Sequence, residues 1–164
     1  MISELLIKVG MADLNTAANG EHLKTTGLGS CVGLTLFDPT KHVAGMAHVM
    51  LPSSSIAREA PINVAKYADT AIPELIERML ALGANVSRLQ AKMAGGSQMF
   101  TLPGQTDSLR IGPRNVESCL MMLEQYSIPL ISQDTGGNFG RTIELSSKSG
   151  MLTIRSVQHG IKEI

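Results

Sequence analysis

Ten residues near the start of the chain, Lys24-Thr25-Thr26-Gly27-Leu28-Gly29-Ser30-Cys31-Val32-Gly33, constrain the fold more than any other stretch. Glycines in such a run suggest a phosphate cradle. The spacing here is G-x-G-x-x-x-G with no Gly-Lys-Ser/Thr, so it fits neither a P-loop nor a dinucleotide fingerprint. The residues after the glycines decide the matter. Val32, Leu34 and Leu36 alternate as in a strand, whereas a phosphate loop opens a helix whose first N–H groups hold the anion. A nucleotide-binding unit is excluded, and the segment introduces a β-rich fold.

The rest of the chain extends that reading. Asp38-Pro39-Thr40-Lys41 has turn chemistry and is followed by a strand from Val43 to about Met50, ended by Pro52. Val64, Ala68, Ala71, Ile72, Leu75, Ile76, Met79 and Leu80 recur at helical spacing, with a kink or break expected at Pro73 and a stop at Gly83. A strand is expected over Arg88–Met93, ending at Gly95-Gly96. A second helix is expected from about Pro113-Arg114-Asn115, burying Val116, Cys119, Leu120 and Leu123. Ile128–Ser132 reads as a strand and Asp134-Thr135-Gly136-Gly137-Asn138 as a tight polar loop. Arg141–Leu145 and Met151–Val157 read as a hairpin across Lys148-Ser149-Gly150. Strands without a βαβ rhythm predict an α+β fold, with mixed or antiparallel sheets covered by helices. The length and the lack of repeats or linkers predict one domain, 1–164.

Composition narrows the function classes. Fourteen basic and fourteen acidic residues cancel, which argues against a nucleic-acid groove or a polybasic membrane anchor. Aromatic residues are 3% with no Trp, too few for base-stacking platforms. Two cysteines and four histidines lack the spacing of a disulfide scaffold or a zinc site. The ten methionines read as packing residues. The first residues carry Glu4 and Lys8 inside their apolar run, and no signal peptide is expected.

Chemistry must then come from a few polar side chains. Glycines beside a thiol can turn backbone N–H groups toward a developing oxyanion. The thiol needs a base, since a free cysteine has a pKa of about 8.5. If Pro39 and Thr40 form a two-residue loop, Asp38 faces Lys41, and the same register places Cys31 opposite His48. His42 lies at the turn, and nothing local favours His22 or His159. Cys119, on the apolar face of the second helix, reads as a core residue. Lys92 and Arg114 read as a buried ion pair or surface charge.

Several segments together resemble the CheD family of chemoreceptor glutamine deamidases. They are Thr25–Val32, Gly45–Pro52, Lys66–Ala71, Ala91–Gly96, Ile111–Asn115 and Asp134–Asn138 with Arg141. The resemblance implies a cysteine amidohydrolase acting on selected glutamines of methyl-accepting chemotaxis receptors, and also able to cleave glutamyl methyl esters. It implies Cys31 as nucleophile, His48 as base and acid, and Thr25 as the residue orienting the imidazole. Gly27, Gly29 and Ser30 belong to the backbone loop that would hold the oxyanion. It implies an α/β/β/α arrangement similar to the catalytic domain of the cytotoxic necrotizing factor deamidases, cytoplasmic localisation, and no metal or organic cofactor. The implied partners are the cytoplasmic helices of the receptors and a CheC-type phosphatase.

Three points stay open. Asp134, Thr135 and Asn138 either line a substrate groove or make a turn. A second function class is a stoichiometric binding protein for receptors and CheC, which would not need the Thr25/Cys31/His48 set; a thiol hydrolase of another small amide or ester is a third. No motif matches Phe100–Arg110, and the residues before His22 are unassigned.

Overall fold

A computed structural model of the protein describes residues 5–99 and 110–164. The expectation for Phe100–Arg110 thus falls outside the described residues except at Arg110. The strands are β1 (Leu6–Lys8), β2 (Leu14–Ala17), β3 (His22–Leu28), β4 (Val32–Asp38), β5 (Val43–Val49), β6 (Gln90–Gly95), β7 (Leu130–Thr135), β8 (Arg141–Ser146), β9 (Leu152–Ser156) and β10 (Gly160–Glu163). The helices are α1 (Ala68–Ala81) and α2 (Ile111–Gln125). One five-stranded sheet has the order β1-β3-β8-β9-β10 and the other β2-β5-β4-β6-β7. The β1/β3 and β6/β7 pairs are parallel and the others antiparallel. The α+β class with two mixed sheets is borne out.

The helices share one side of the sandwich. Leu23, Leu28, Met46, Ile143 and Leu145 fill the space between the sheets. Ile72, Leu75, Met79, Cys119 and Leu123 of both helices pack with Val32, Leu34, Leu36 and Val49 on the far side of the second sheet. The described residues therefore run sheet, sheet, helices, where the α/β/β/α order would put a helix on each side. Along β8 buried positions alternate with half-buried ones, the pattern of a sheet covered on one face only. In contrast, β4 and β5 are buried at every position. Gly33 of β4 faces the first sheet where there is no room for a side chain, since a Cβ there would collide with Ile143. Each large side chain enclosed here contributes roughly 1.5–3 kcal/mol.

Local departures have local causes. The β4–β5 connection is four residues long, not two. The Asp38 carboxylate accepts the N–H groups of Thr40 and Lys41, at 2.9 and 3.2 Å, and His42 takes a left-handed φ of 54°. Asp38 then pairs with Val43, which moves Gly33 opposite His48 and leaves Cys31 on the diagonal. Helix α1 begins at Ala68, since Val64 lies in a separate 3-10 turn. Pro73 sits in its second turn and removes one bond, to Asp69, without breaking the helix. In α2 the buried face is Gly112, Asn115, Cys119 and Leu123, while Leu120 is 38% exposed. The helix is rotated so that Asn115 faces inward. Asp134 and Thr135 end β7 and are not loop residues. The strand expected at Arg88 starts at Gln90, after a 3-10 turn over Val86–Arg88. Met46, Met79 and Met93 are core, but Met11, Met99, Met121 and Met151 are exposed. The segment before His22 supplies β1 and β2, one for each sheet.

Candidate active site

The glycine segment is a crossover. Lys24–Leu28 belongs to β3 in one sheet and Val32 begins β4 in the other, so Gly29-Ser30-Cys31 steps between the two layers. The site straddles the sandwich for that reason. Thr25 projects inward from β3 and is 2% exposed; His48 projects inward from β5 and is 0% exposed. Their side chains meet across the interlayer, Thr25 Oγ1 lying 2.7 Å from His48 Nδ1. Cys31 reaches the same interlayer at the crossover and is 8% exposed.

The imidazole is held at one nitrogen only. Nε2 is buried and has no hydrogen-bond partner among the described residues. In the tautomer where Nδ1–H donates to Thr25, Nε2 carries a free lone pair, which is what a general base requires. A buried polar atom without a partner is uncommon and calls for a cause; a group awaiting a reacting proton supplies one.

The backbone around Cys31 is tied in a directional way. The Gly29 carbonyl accepts from Ser97 N–H at 2.9 Å, the Ser30 carbonyl from Asn115 Nδ2 at 3.0 Å, and the Cys31 carbonyl from Gly96 N–H at 2.9 Å. In a trans peptide the N–H points opposite to the preceding C=O. The N–H groups of Ser30 and Cys31 therefore point away from these anchors, as an oxyanion site needs. Gly95 is required for the approach: its φ is +106°, and a Cβ there would collide with the Cys31 carbonyl oxygen.

Burial pushes the Cys31 thiol up, and its own backbone N–H offsets part of that rise. Burial also pushes the His48 imidazole down. Both shifts favour a resting pair of neutral thiol and neutral imidazole over a thiolate–imidazolium pair.

The remaining predicted residues separate into supports and surroundings. Gly27, with φ +73°, lies in the irregular part of β3 and lines a cleft of about 720 Å³ with Arg141, Arg155, Val157 and Ile161. Asp134, Thr135 and Asn138 are not in that lining. Asp134 holds Arg141 and Lys162 at 3.4 Å each, Thr135 donates to Gln133, and Asn138 is exposed. Arg141 is 3% exposed and donates to Ser97 Oγ at 2.8 Å, buttressing the residue whose N–H holds Gly29. Lys92 Nζ donates to the Gly150 carbonyl and to the main-chain oxygen of Ile164. Cys119 lies in the helix-covered core. Sequence reasoning does not single out Ser97 or Asn115 as site residues. Ser97 carries no signal of its own, but an asparagine on the same helical stripe as Cys119 and Leu123 does.

The sequence model of the family described as CheD chemotactic sensory transduction matches residues 50–156. A chemoreceptor glutamine deamidase CheD of Halalkalibacterium halodurans is 50% identical over 159 residues, which is 97% of this chain and 98% of its own. That of Bacillus subtilis is 49% identical over 160 residues, 98% of this chain and 96% of its own. A probable chemoreceptor glutamine deamidase CheD of Lachnoclostridium phytofermentans is 51% identical over 159 residues, 97% of this chain and 98% of its own. The family match begins after Cys31 and His48, whereas the full-length similarities span both.

Proposed function

The chain belongs to the CheD family, and from that premise we propose that it is a protein-glutamine deamidase of chemotaxis receptors, working through a thioester on Cys31. The observation that carries the mechanism is His48, fixed at Nδ1 by Thr25 and left free at Nε2, in the interlayer that Cys31 enters.

The steps derive from those positions. Nε2 of His48 takes the proton from Sγ of Cys31 as sulfur attacks the carboxamide carbon of a substrate glutamine. The negative charge moves to the carboxamide oxygen, where the N–H groups of Ser30 and Cys31 receive it. The imidazolium returns its proton to the amide nitrogen, the C–N bond breaks, and ammonia leaves a thioester. Water then gives a proton to Nε2 and attacks the same carbon. The thiolate departs, takes back the proton, and glutamate remains. A glutamyl methyl ester reaches the same thioester with methanol as leaving group. Thr25 keeps Nδ1 protonated, so that Nε2 faces the chemistry through both halves of the cycle.

The substrates are selected glutamines on the cytoplasmic helices of methyl-accepting receptors, which places the enzyme in the cytoplasm as one CheD-like domain over 1–164. A CheC-type phosphatase is the proposed regulatory partner. Among the described residues no helix is long and apolar enough to cross a membrane. The test is peptide mass spectrometry, with ammonia release, of a receptor cytoplasmic fragment incubated with wild type and with Cys31→Ala. Wild type should convert particular glutamines to glutamate and Cys31→Ala should not. Equal conversion by both proteins would overturn the mechanism, and none by either would overturn the activity.

A further inference from the structure

The ladder between β4 and β5 ends at Val32 opposite Val49. One step further, where the register would set Cys31 against Met50, the strands part. The Met50 N–H donates to the Lys66 carbonyl at 2.9 Å, and the Cys31 carbonyl accepts from Gly96. The gap is bridged from outside the sheet. Asn115 of α2, 0% exposed, donates from Nδ2 to the Ser30 carbonyl at 3.0 Å and to the Met50 carbonyl at 2.9 Å. Both hydrogens of the amide nitrogen are used. Two carbonyl partners also fix which way the amide points, since the flipped amide would set oxygen against oxygen.

The arrangement costs stability. Oδ1 of Asn115 is buried without a hydrogen-bond partner among the described residues, on a helix face otherwise fit for apolar packing against Cys119 and Leu123. A local rule broken in this way, one residue from the nucleophile loop's cysteine and two from the histidine strand's imidazole, points to a role in the site.

We propose that Asn115 is a positioning residue: its amide clips the Cys31 loop to the His48 strand where the ladder ends. The clip sets the separation of thiol and imidazole and keeps the Cys31 N–H turned toward substrate. This rests on the reading of Cys31 as nucleophile.

The same helix offers a control. Ser118 Oγ donates to the Pro52 carbonyl at 2.7 Å, tying α2 to the segment after β5 without touching the Cys31 loop. Steady-state deamidation of a receptor fragment, the pH dependence of Cys31 alkylation by iodoacetamide, and thermal melting would be measured for wild type, Asn115→Ala and Ser118→Ala. Asn115→Ala should lower kcat about tenfold or more, the scale on which small misplacements act, with KM changed less than about twofold. It should also shift the alkylation profile. Ser118→Ala should leave kcat and the profile at wild-type values even where it lowers the melting temperature. If Asn115→Ala does not fold, Asn115→Thr, which keeps one donor, should show an intermediate kcat and profile. Wild-type kcat and alkylation in a folded Asn115 variant, or equal losses in the Ser118 control, would overturn the clip. The alkylation profile needs no substrate, so it reads the clip even if receptor deamidation itself is not observed.

Discussion

The two cysteines make the instructive comparison, because by burial alone they look alike. Both are free thiols, both are buried, and burial raises both pKa values, that of Cys119 to about 12. What differs is the backbone. Cys119 lies inside α2, where its N–H is spent on the preceding helical turn and its side chain is buried in the helix-covered core. Cys31 lies between two strands of different sheets, its carbonyl anchored by Gly96 and its N–H acting on its own sulfur. On the proposed mechanism the same residue type is inert where the backbone is satisfied and reactive where the chain changes layer.

The sharpest way to break that contrast is to remove each thiol. Cys31→Ala should abolish deamidation, while Cys119→Ala should keep activity within about twofold and lose roughly 1 kcal/mol of stability to the small cavity left. Activity assays with denaturant melts would check both. Next in size, His48→Ala should reduce kcat by about 10²–10⁴-fold. Thr25→Val, which keeps the shape but leaves Nδ1 without its partner, removes a hydrogen bond worth roughly 1 kcal/mol. It should cost about five- to tenfold in kcat with KM unchanged.

The smallest effects are in pH. The base must be neutral to act, and burial lowers the His48 pKa. Activity should therefore rise with pH through a midpoint below the ordinary imidazole value of about 6.5. Alkylation of Cys31 should still be climbing above the ordinary thiol value of about 8.5, because its pKa is raised. Cys119 should react only on unfolding. A stopped-flow alkylation series with peptide mapping separates the two thiols; a Cys31 rate already level at neutral pH would contradict the neutral resting pair.

How far the molecule is legible in its sequence varies with the range of the forces involved. The strands, the helices, the glycine segment around Cys31 and the family resemblance rest on local pattern and can be read. Register cannot, because it depends on Asp38 gathering the N–H groups of Thr40 and Lys41 and lengthening the turn to four residues. Cys31 and His48 approach one interlayer, but on a diagonal and across a layer change, not as an opposed pair. The side on which each helix packs is equally hidden, because an apolar stripe does not say which sheet it covers. Ser97 and Asn115 act through backbone groups of distant segments, which no local pattern encodes.

On the proposed mechanism only Cys31, of the two thiols, is acylated by a glutamine side chain. Incubating wild type with a glutamine analogue bearing a chloromethyl ketone in place of the carboxamide, which alkylates a thiolate with loss of chloride, followed by peptide mass mapping, tests it directly. The expected result is a single adduct, on the peptide containing Cys31, lost in Cys31→Ala and much slowed in His48→Ala. An adduct on Cys119 in the folded protein, or labelling of Cys31 at the same rate without His48, would contradict it.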